Sequence, residues 1–224
     1  MAIEDEVSAG EPSSVASLTS QAVERIDELL NDGRLVPGQR LIEIDLCKRL
    51  GLGRVPVREA LRILAGDGVI ELVPGRGASV RQMGPIQIVE MLKVIVGFLF
   101  VALDDFPGTG GDPTVGQRLI AANERIAAFR NSIDYFSLNK ALCDYQNLII
   151  DLSGNEYLRR SMKKVHFTYY TRQVHSYVDI SVTQHVASPY PEITEALLRN
   201  DVEAAKNLFA ATRDRVIKPL LLMA

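Results

Sequence analysis

The chain has 224 residues, 47% hydrophobic and 24% charged, with a formal net charge of −3, enough for one large or two modest globular domains. Its longest apolar run, residues 94–103, is broken only by Gly97 and falls short of the roughly 20 residues that span a bilayer. No basic leader with a small-residue cleavage site opens the sequence, and Cys47 and Cys143 show no paired spacing, so no membrane partner and no disulfide framework are expected, and a cytoplasmic location is.

The charge is unevenly spread. Residues 1–14 hold four acids and no base, the composition of a disordered acidic tail. Residues 34–82 hold nine Lys and Arg against five acids, whereas residues 84–224 hold fifteen of each sign. A local positive surplus is the electrostatic footprint of a nucleic-acid-binding segment.

A helix is expected over 15–33, with Val23, Ile26 and Leu30 at helical spacing and Gly33 as its left-handed cap. Leu35-Val36-Pro37-Gly38 is a turn. A short helix over 43–50 turns Leu46 and Leu50 inward and ends at Gly51-Leu52-Gly53. A third starts near Val55, with Pro56 in the first turn where its missing N–H costs nothing, and runs to about Ala65. β-Branching marks 69–73 as a strand, Pro74-Gly75-Arg76-Gly77 as a hairpin turn and 78–81 as the return strand. Three helices and a two-stranded hairpin make residues 15–82 a winged helix-turn-helix.

Beyond Met83-Gly84-Pro85 the periodicity is helical only. Helices are expected at 86–105, 114–130, 132–152, 155–177, 189–199 and 201–222, with a Gly/Pro loop over 106–115, a break at Ser153-Gly154-Asn155 and a loop over 178–188. The expected fold class is mainly α: an N-terminal winged helix-turn-helix and, over 86–222, an all-α helical bundle.

On the third helix Val57, Ala60, Leu61, Ile63 and Leu64 share an arc of about 160°, and Arg54, Arg58 and Arg62 a separate arc of about 80°. Such a stripe alone reads first as a solvated charged face. Placed on the second helix of a helix-turn-helix and followed by a wing carrying Arg76, it reads as a DNA contact surface, because a planar guanidinium bonds guanine edges or phosphate oxygens in pairs. Gly75 lets the hairpin turn, and a tip without Cβ atoms lets backbone N–H groups approach a phosphate or the minor groove.

The residues Val36-Pro37-Gly38-Gln39-Arg40-Leu41-Ile42-Glu43, Leu46-Cys47-Lys48-Arg49-Leu50-Gly51, Gly53-Arg54-Val55-Pro56-Val57-Arg58-Glu59-Ala60-Leu61, Asp67-Gly68 and Pro74-Gly75-Arg76-Gly77-Ala78 resemble the N-terminal domain of GntR-type bacterial regulators. Val55, counted with the DNA-facing set, stands where that family usually has Thr or Ser, so one hydroxyl contact to DNA is replaced. Tyr145-Gln146 leading to Ser153-Gly154-Asn155, and Ile193-Thr194-Glu195-Ala196 leading to Asp201, resemble the helical effector domain of the FadR-like subgroup. The resemblance implies a homodimer on a palindromic double-stranded operator. It also implies a small metabolite, a carboxylate being one candidate, that acts from the helical domain on the placement of the DNA-binding heads.

Many domains of that subgroup hold a divalent metal through one Asp and three His. The matching positions here are Leu142, Gln146, Tyr190 and Thr212, none a usual ligand type. Asp144 lies two residues from Leu142, which turns it to another face of the helix. His166, His175 and His185 have no i,i+4 pairing, and His185 falls in the expected loop. No metal and no cofactor are expected. Tyr145, Gln146, Tyr190 and Thr212 remain as polar candidates for effector binding. No glycine-rich phosphate loop, GxSxG, HExxH or Cys/His pair occurs, and Asp104-Asp105 read as a solvated helix end, so an enzyme is not expected. The expected function is an operator-binding regulator, a repressor, controlled by a metabolite. The alternative is a helical domain that only dimerises or recruits a partner.

Overall fold

The computed structural model describes residues 15–73, 75 and 77–223; the acidic segment 1–14 and Arg76 lie outside the described residues. The chain divides into two compact units between Arg81 and Gln82.

In the first unit, α1 (Val15–Asn31) buries Ala22, Ile26, Leu29 and Leu30. It packs against α3 (Arg54–Gly66), which buries Pro56, Val57, Ala60, Leu61 and Leu64. The shorter α2 (Glu43–Leu50) lies against α3 and stops at Gly51, whose φ of +65° is the left-handed conformation that favours glycine. Arg25 of α1 donates to the Leu50 carbonyl, satisfying one acceptor at that helix end. Ile63 belongs to the outer surface, not to the core face expected of it: it is 47% exposed, while Leu64 is fully buried. The buried arc is narrower than the apolar one, because α1 covers only one side of α3.

The sheet has three strands where the sequence suggested two. β1 (Arg40–Leu41), β2 (Ile70–Val73) and β3 (Gly77–Val80) are antiparallel in the order β1-β3-β2, with Arg40 opposite Ser79 and Ile70 opposite Val80. Two residues are too few for alternation to show in a sequence. Neighbouring bonds extend the pairing, Gly38 N–H to Val80 O at 2.9 Å and Val80 N–H to Gln39 O at 2.8 Å.

The second unit is entirely helical: α4 (Pro85–Asp104), α5 (Pro113–Phe129), α6 (Tyr135–Leu152), α7 (Glu156–Lys164), α8 (Phe167–Gln173), α9 (Ile180–Ala187), α10 (Tyr190–Leu198) and α11 (Val202–Leu221). Asp112, Asp134, Asn155, Asp179 and Asp201 cap α5, α6, α7, α9 and α11 by accepting a backbone N–H. The 20-residue α4 is long and apolar enough by composition to cross a membrane, longer than the run it contains. Here it packs on α6, α8 and α11 and buries Ile88, Ile95, Leu99 and Leu103.

Two expectations fail in this unit. The helix expected over 155–177 is broken at His166, which takes φ +48° between α7 and α8, with no Gly or Pro there to announce it. The loop expected over 178–188 contains α9, so His185 is helical. Its β-branched, hydroxyl-rich sequence hid the helix, although Asp179 accepts from Ser181 N–H at 2.8 Å as an N-cap.

The two neighbours on α3 separate by their burial. Leu64→Ala is expected to destabilise by about 2–5 kcal/mol through the cavity it leaves. Ile63→Ala should stay within about 0.5 kcal/mol. Urea unfolding of the full chain measures both; equal losses would contradict the packing described.

Candidate nucleic-acid interface and bundle cavity

Arg54, Arg58 and Arg62 all stand on the exposed face of α3. Arg58 lies against Glu43 of α2, its Nε 3.2 Å and Nη2 2.8 Å from the carboxylate oxygens. Arg62 pairs with Glu59 one turn before it, at 2.5 Å. Arg54, in the first turn, has no ion pair among the described residues. Glu43 was not legible as a partner: it lies fifteen residues from Arg58, and only the crossing of α2 over α3 brings them together. The Arg58 guanidinium, bonded to it, holds the Glu43 carboxyl below its ordinary value, helped by the charges of Arg54 and Arg62. Gly53 precedes α3 in extended conformation and has no side chain to cap it, which leaves first-turn N–H groups free for an anion. Val55 is 62% exposed beside Arg54. At the wing tip Gly75 and Gly77 take φ of +75° and +86°, with no atom within 4 Å of where a Cβ would stand. Any other residue would strain that turn.

The second unit holds a partly open cavity of about 90 Å³ between α4, α6, α8, α9 and α11. Gln146 and Thr212 line it, together with Leu142; Tyr145 and Tyr190 do not. Tyr190 sits behind Gln146, whose Nε2 donates to its hydroxyl at 2.7 Å. Tyr145 is tied elsewhere, its hydroxyl 2.8 Å from Thr194 Oγ1. The three rings of Tyr145, Tyr190 and Phe209 meet edge to face. Asn139, Thr171 and Arg213 also line the cavity. Sequence reading missed them, since α8 was hidden inside a longer expected helix and nothing local marks the other two.

These residues do not fit a divalent cation. Leu142 has no donor atom, the Gln146 amide is engaged with Tyr190, and burial raises the Tyr190 phenol further above its ordinary value. Thr212 donates its proton to the Leu208 carbonyl at 2.7 Å. Asp144 pairs with Lys140 at 2.8 Å. His175, beside Thr183 at 3.5 Å, is pushed down to about 4 by burial and is neutral at pH 7. Among the described residues no three His, Cys, Asp or Glu stand together.

The Glu43–Arg58 pair has a definite pH signature. A depressed folded-state value means that its contribution is present above the ordinary glutamate range and is lost as pH falls through the depressed value. A carboxyl NMR titration should show Glu43 below an ordinary glutamate, moving upward in Arg58→Ala. An ordinary value in the unaltered protein would refute the pairing in solution.

Residues 18–80 match the family described as bacterial regulatory proteins, gntR family. The HTH-type transcriptional regulator YdhC of Bacillus subtilis (strain 168) is 22% identical over 188 residues, 83% of each chain. The Glc operon transcriptional activator of Escherichia coli (strain K12) is 42% identical over 65 residues, 29% of this chain and 26% of that protein. In fold the chain is similar to a putative transcriptional regulator GntR from Rhodococcus sp. RHA1. The TM-score is 0.77 at 22% identity, over 93% of this chain and 99% of the other. Residues 18–80 are therefore a DNA-binding domain of the gntR family, and the whole chain is similar to HTH-type transcriptional regulators in sequence and, with its all-helical second unit, in fold.

Proposed function

We propose that this regulator is a homodimeric cytoplasmic repressor that binds a palindromic operator and is controlled by a small molecule in its bundle cavity. The carrying observation is the face of α3, where Arg54, Val55, Arg58 and Arg62 are exposed together on a helix held from behind. Arg54 and Val55 occupy the first turn, from which a recognition helix reaches base edges. Val55 offers only apolar contact, which suits a thymine methyl where Thr or Ser would offer a hydrogen bond. Gly75 and Arg76 at the wing serve the backbone. Repression needs only occupancy of the operator, whereas the likeness to the Glc operon activator spans the DNA-binding segment alone and says nothing of the sign of regulation.

The dimer reading is supported by α4. Ile86, Val94, Gly97 and Val101 form an exposed, mostly apolar stripe along it, and a single stripe meeting its own copy suits a two-fold contact. The effector reading is supported by the cavity and by the buried Oε1 of Gln146, which has no partner.

Selection from a random duplex library followed by a salt titration tests the DNA reading, since log affinity should fall linearly with log salt as counterions are released. Arg54→Ala and Arg58→Ala should each weaken the selected site by about 5- to 150-fold, with the helical fold kept. Arg76→Ala should weaken many sequences alike. Failure to select any tight site would refute this reading. Val94→Glu should convert the dimer to monomer in sedimentation; a monomeric unaltered protein would refute the dimer. Metabolite pools that shift the melting midpoint should also release operator. No shift with any pool would leave dimerisation as the bundle's sole role.

A further inference from the structure

Resting on the effector reading of the cavity, we infer that its ligand is a short uncharged molecule carrying a hydroxyl group, the size of a three- to five-carbon alcohol. Size sets the first limit. The cavity is about 90 Å³, against about 150 Å³ for an engineered apolar cavity that holds benzene. That leaves room for roughly four to six non-hydrogen atoms.

Charge sets the second limit. Of the lining residues, Cys143 is kept neutral by burial, which pushes its thiol up to about 12. Arg213 is the one cation among the lining residues, and its Nε and Nη2 both lie against Asp214, at 2.9 and 2.8 Å, so an entering carboxylate would have to share it. A carboxylate or an ammonium entering here would leave water without a free counter-ion, which is costly.

The third limit is the polarity of what remains. Thr171 gives its hydroxyl proton to the Phe167 carbonyl at 3.0 Å, and Thr212 gives its own to Leu208. The Thr212 hydroxyl therefore faces a ligand only as an acceptor, whereas the Thr171 oxygen already accepts from the Cys143 thiol at 3.2 Å. Gln146 is held at one end by Tyr190, which leaves Oε1 buried without a partner. Among the described residues Gln146 Oε1 is thus the one lining atom left without a donor, and Thr212 beside it can accept as well. A hydroxyl is preferred over an alkylamine, which is an ammonium at pH 7 and has no lone pair left to accept with. The hydroxyl satisfies the Gln146 amide in either orientation, including the one in which Tyr190 donates to Oε1 and Nε2 meets the ligand. Asn139 and Thr183 add two further polar side chains, and the rest of the wall, with Leu92, Ile95, Leu99, Leu142 and Phe209, is apolar and suits the alkyl part.

The probes are 1-butanol, butyrate and butylammonium, titrated into the full-length protein at pH 7 and followed by saturation-transfer NMR. Saturable binding of 1-butanol, with both ions at least tenfold weaker, is the expected result. Gln146→Leu, with an unchanged circular dichroism spectrum, should weaken 1-butanol at least tenfold. Thr212→Val should weaken it in the same direction, and stands in should the first variant not fold. Binding of butyrate or butylammonium as tight as 1-butanol overturns this inference while leaving the cavity an effector site. Unchanged 1-butanol binding in both variants overturns it by placing the alcohol elsewhere. Binding of none of the three overturns this inference, while the effector reading still rests on the metabolite pools.

Discussion

The contact on which the first unit depends is the burial of one face of α3 against α1. Ile26 and Leu30 on α1 and Val57, Ala60, Leu61 and Leu64 on α3 are almost wholly removed from water, and each such side chain contributes roughly 1.5–3 kcal/mol when fully buried. That burial fixes which way α3 is rotated. Because a helix turns about 100° per residue, fixing the apolar arc also fixes where Arg54, Arg58 and Arg62 project. The arginine face is thus a consequence of core packing, and a substitution that rolled α3 would move all three guanidinium groups at once.

The free protein already occupies two of those three groups. Glu43 receives both Nε and Nη2 of Arg58, and Glu59 receives Arg62. Both pairs are well exposed to solvent, and exposed pairs contribute little, since water and salt screen them. They orient the guanidinium groups without locking them. A guanine edge or a phosphate can take over the fork of Arg58 with a geometry equal to that of a carboxylate. Arg54 needs no such exchange and stands beside the uncapped start of α3, so the first turn is the part of the surface most open to an anion. The same acids lower the local positive potential and so weaken attachment to duplexes that cannot make the paired contacts.

The first unit was largely legible in the sequence because its signals are local. Gly51 ends α2, Pro56 opens α3, the glycines of the wing tip demand positive φ, and the apolar spacing on α1 and α3 is regular. What was not legible depends on contacts far apart in the chain. Strand β1 exists because β3 pairs with it, and Ile63 is exposed because α1 does not reach it. The bundle was harder for the same reason. His166 breaks a continuous helical pattern without a Gly or Pro, and the polar residues of the cavity come from α6, α8 and α11, which no local spacing relates. Gln146 and Thr212 were found at the cavity through positions matched to a family motif. Tyr145, adjacent to Gln146 on α6, necessarily faces another way and is spent on Thr194.

The bundle reaches an uncharged interior by a consistent set of replacements. Where a metal site would need donors from several helices, Leu142 offers a methyl surface, and Gln146, Tyr190 and Thr212 bond to each other or to their own backbone. The Tyr145–Tyr190–Phe209 edge-to-face cluster backs the wall and fixes the ring to which Gln146 is tied. The amide has one end held and the other buried and unmet. An unmet buried polar group costs about 1–3 kcal/mol, and a leucine at 146 would only move that cost to the buried Tyr190 hydroxyl, which loses its donor. A rigid wall with a single unmet amide end is preorganised for a partner that supplies one hydrogen bond and otherwise only apolar surface. Binding such a partner recovers the lost hydrogen bond without reorganising the aromatic cluster behind it, so the energy of a very small ligand is spent on the helices that line the cavity, α4 and α11 among them.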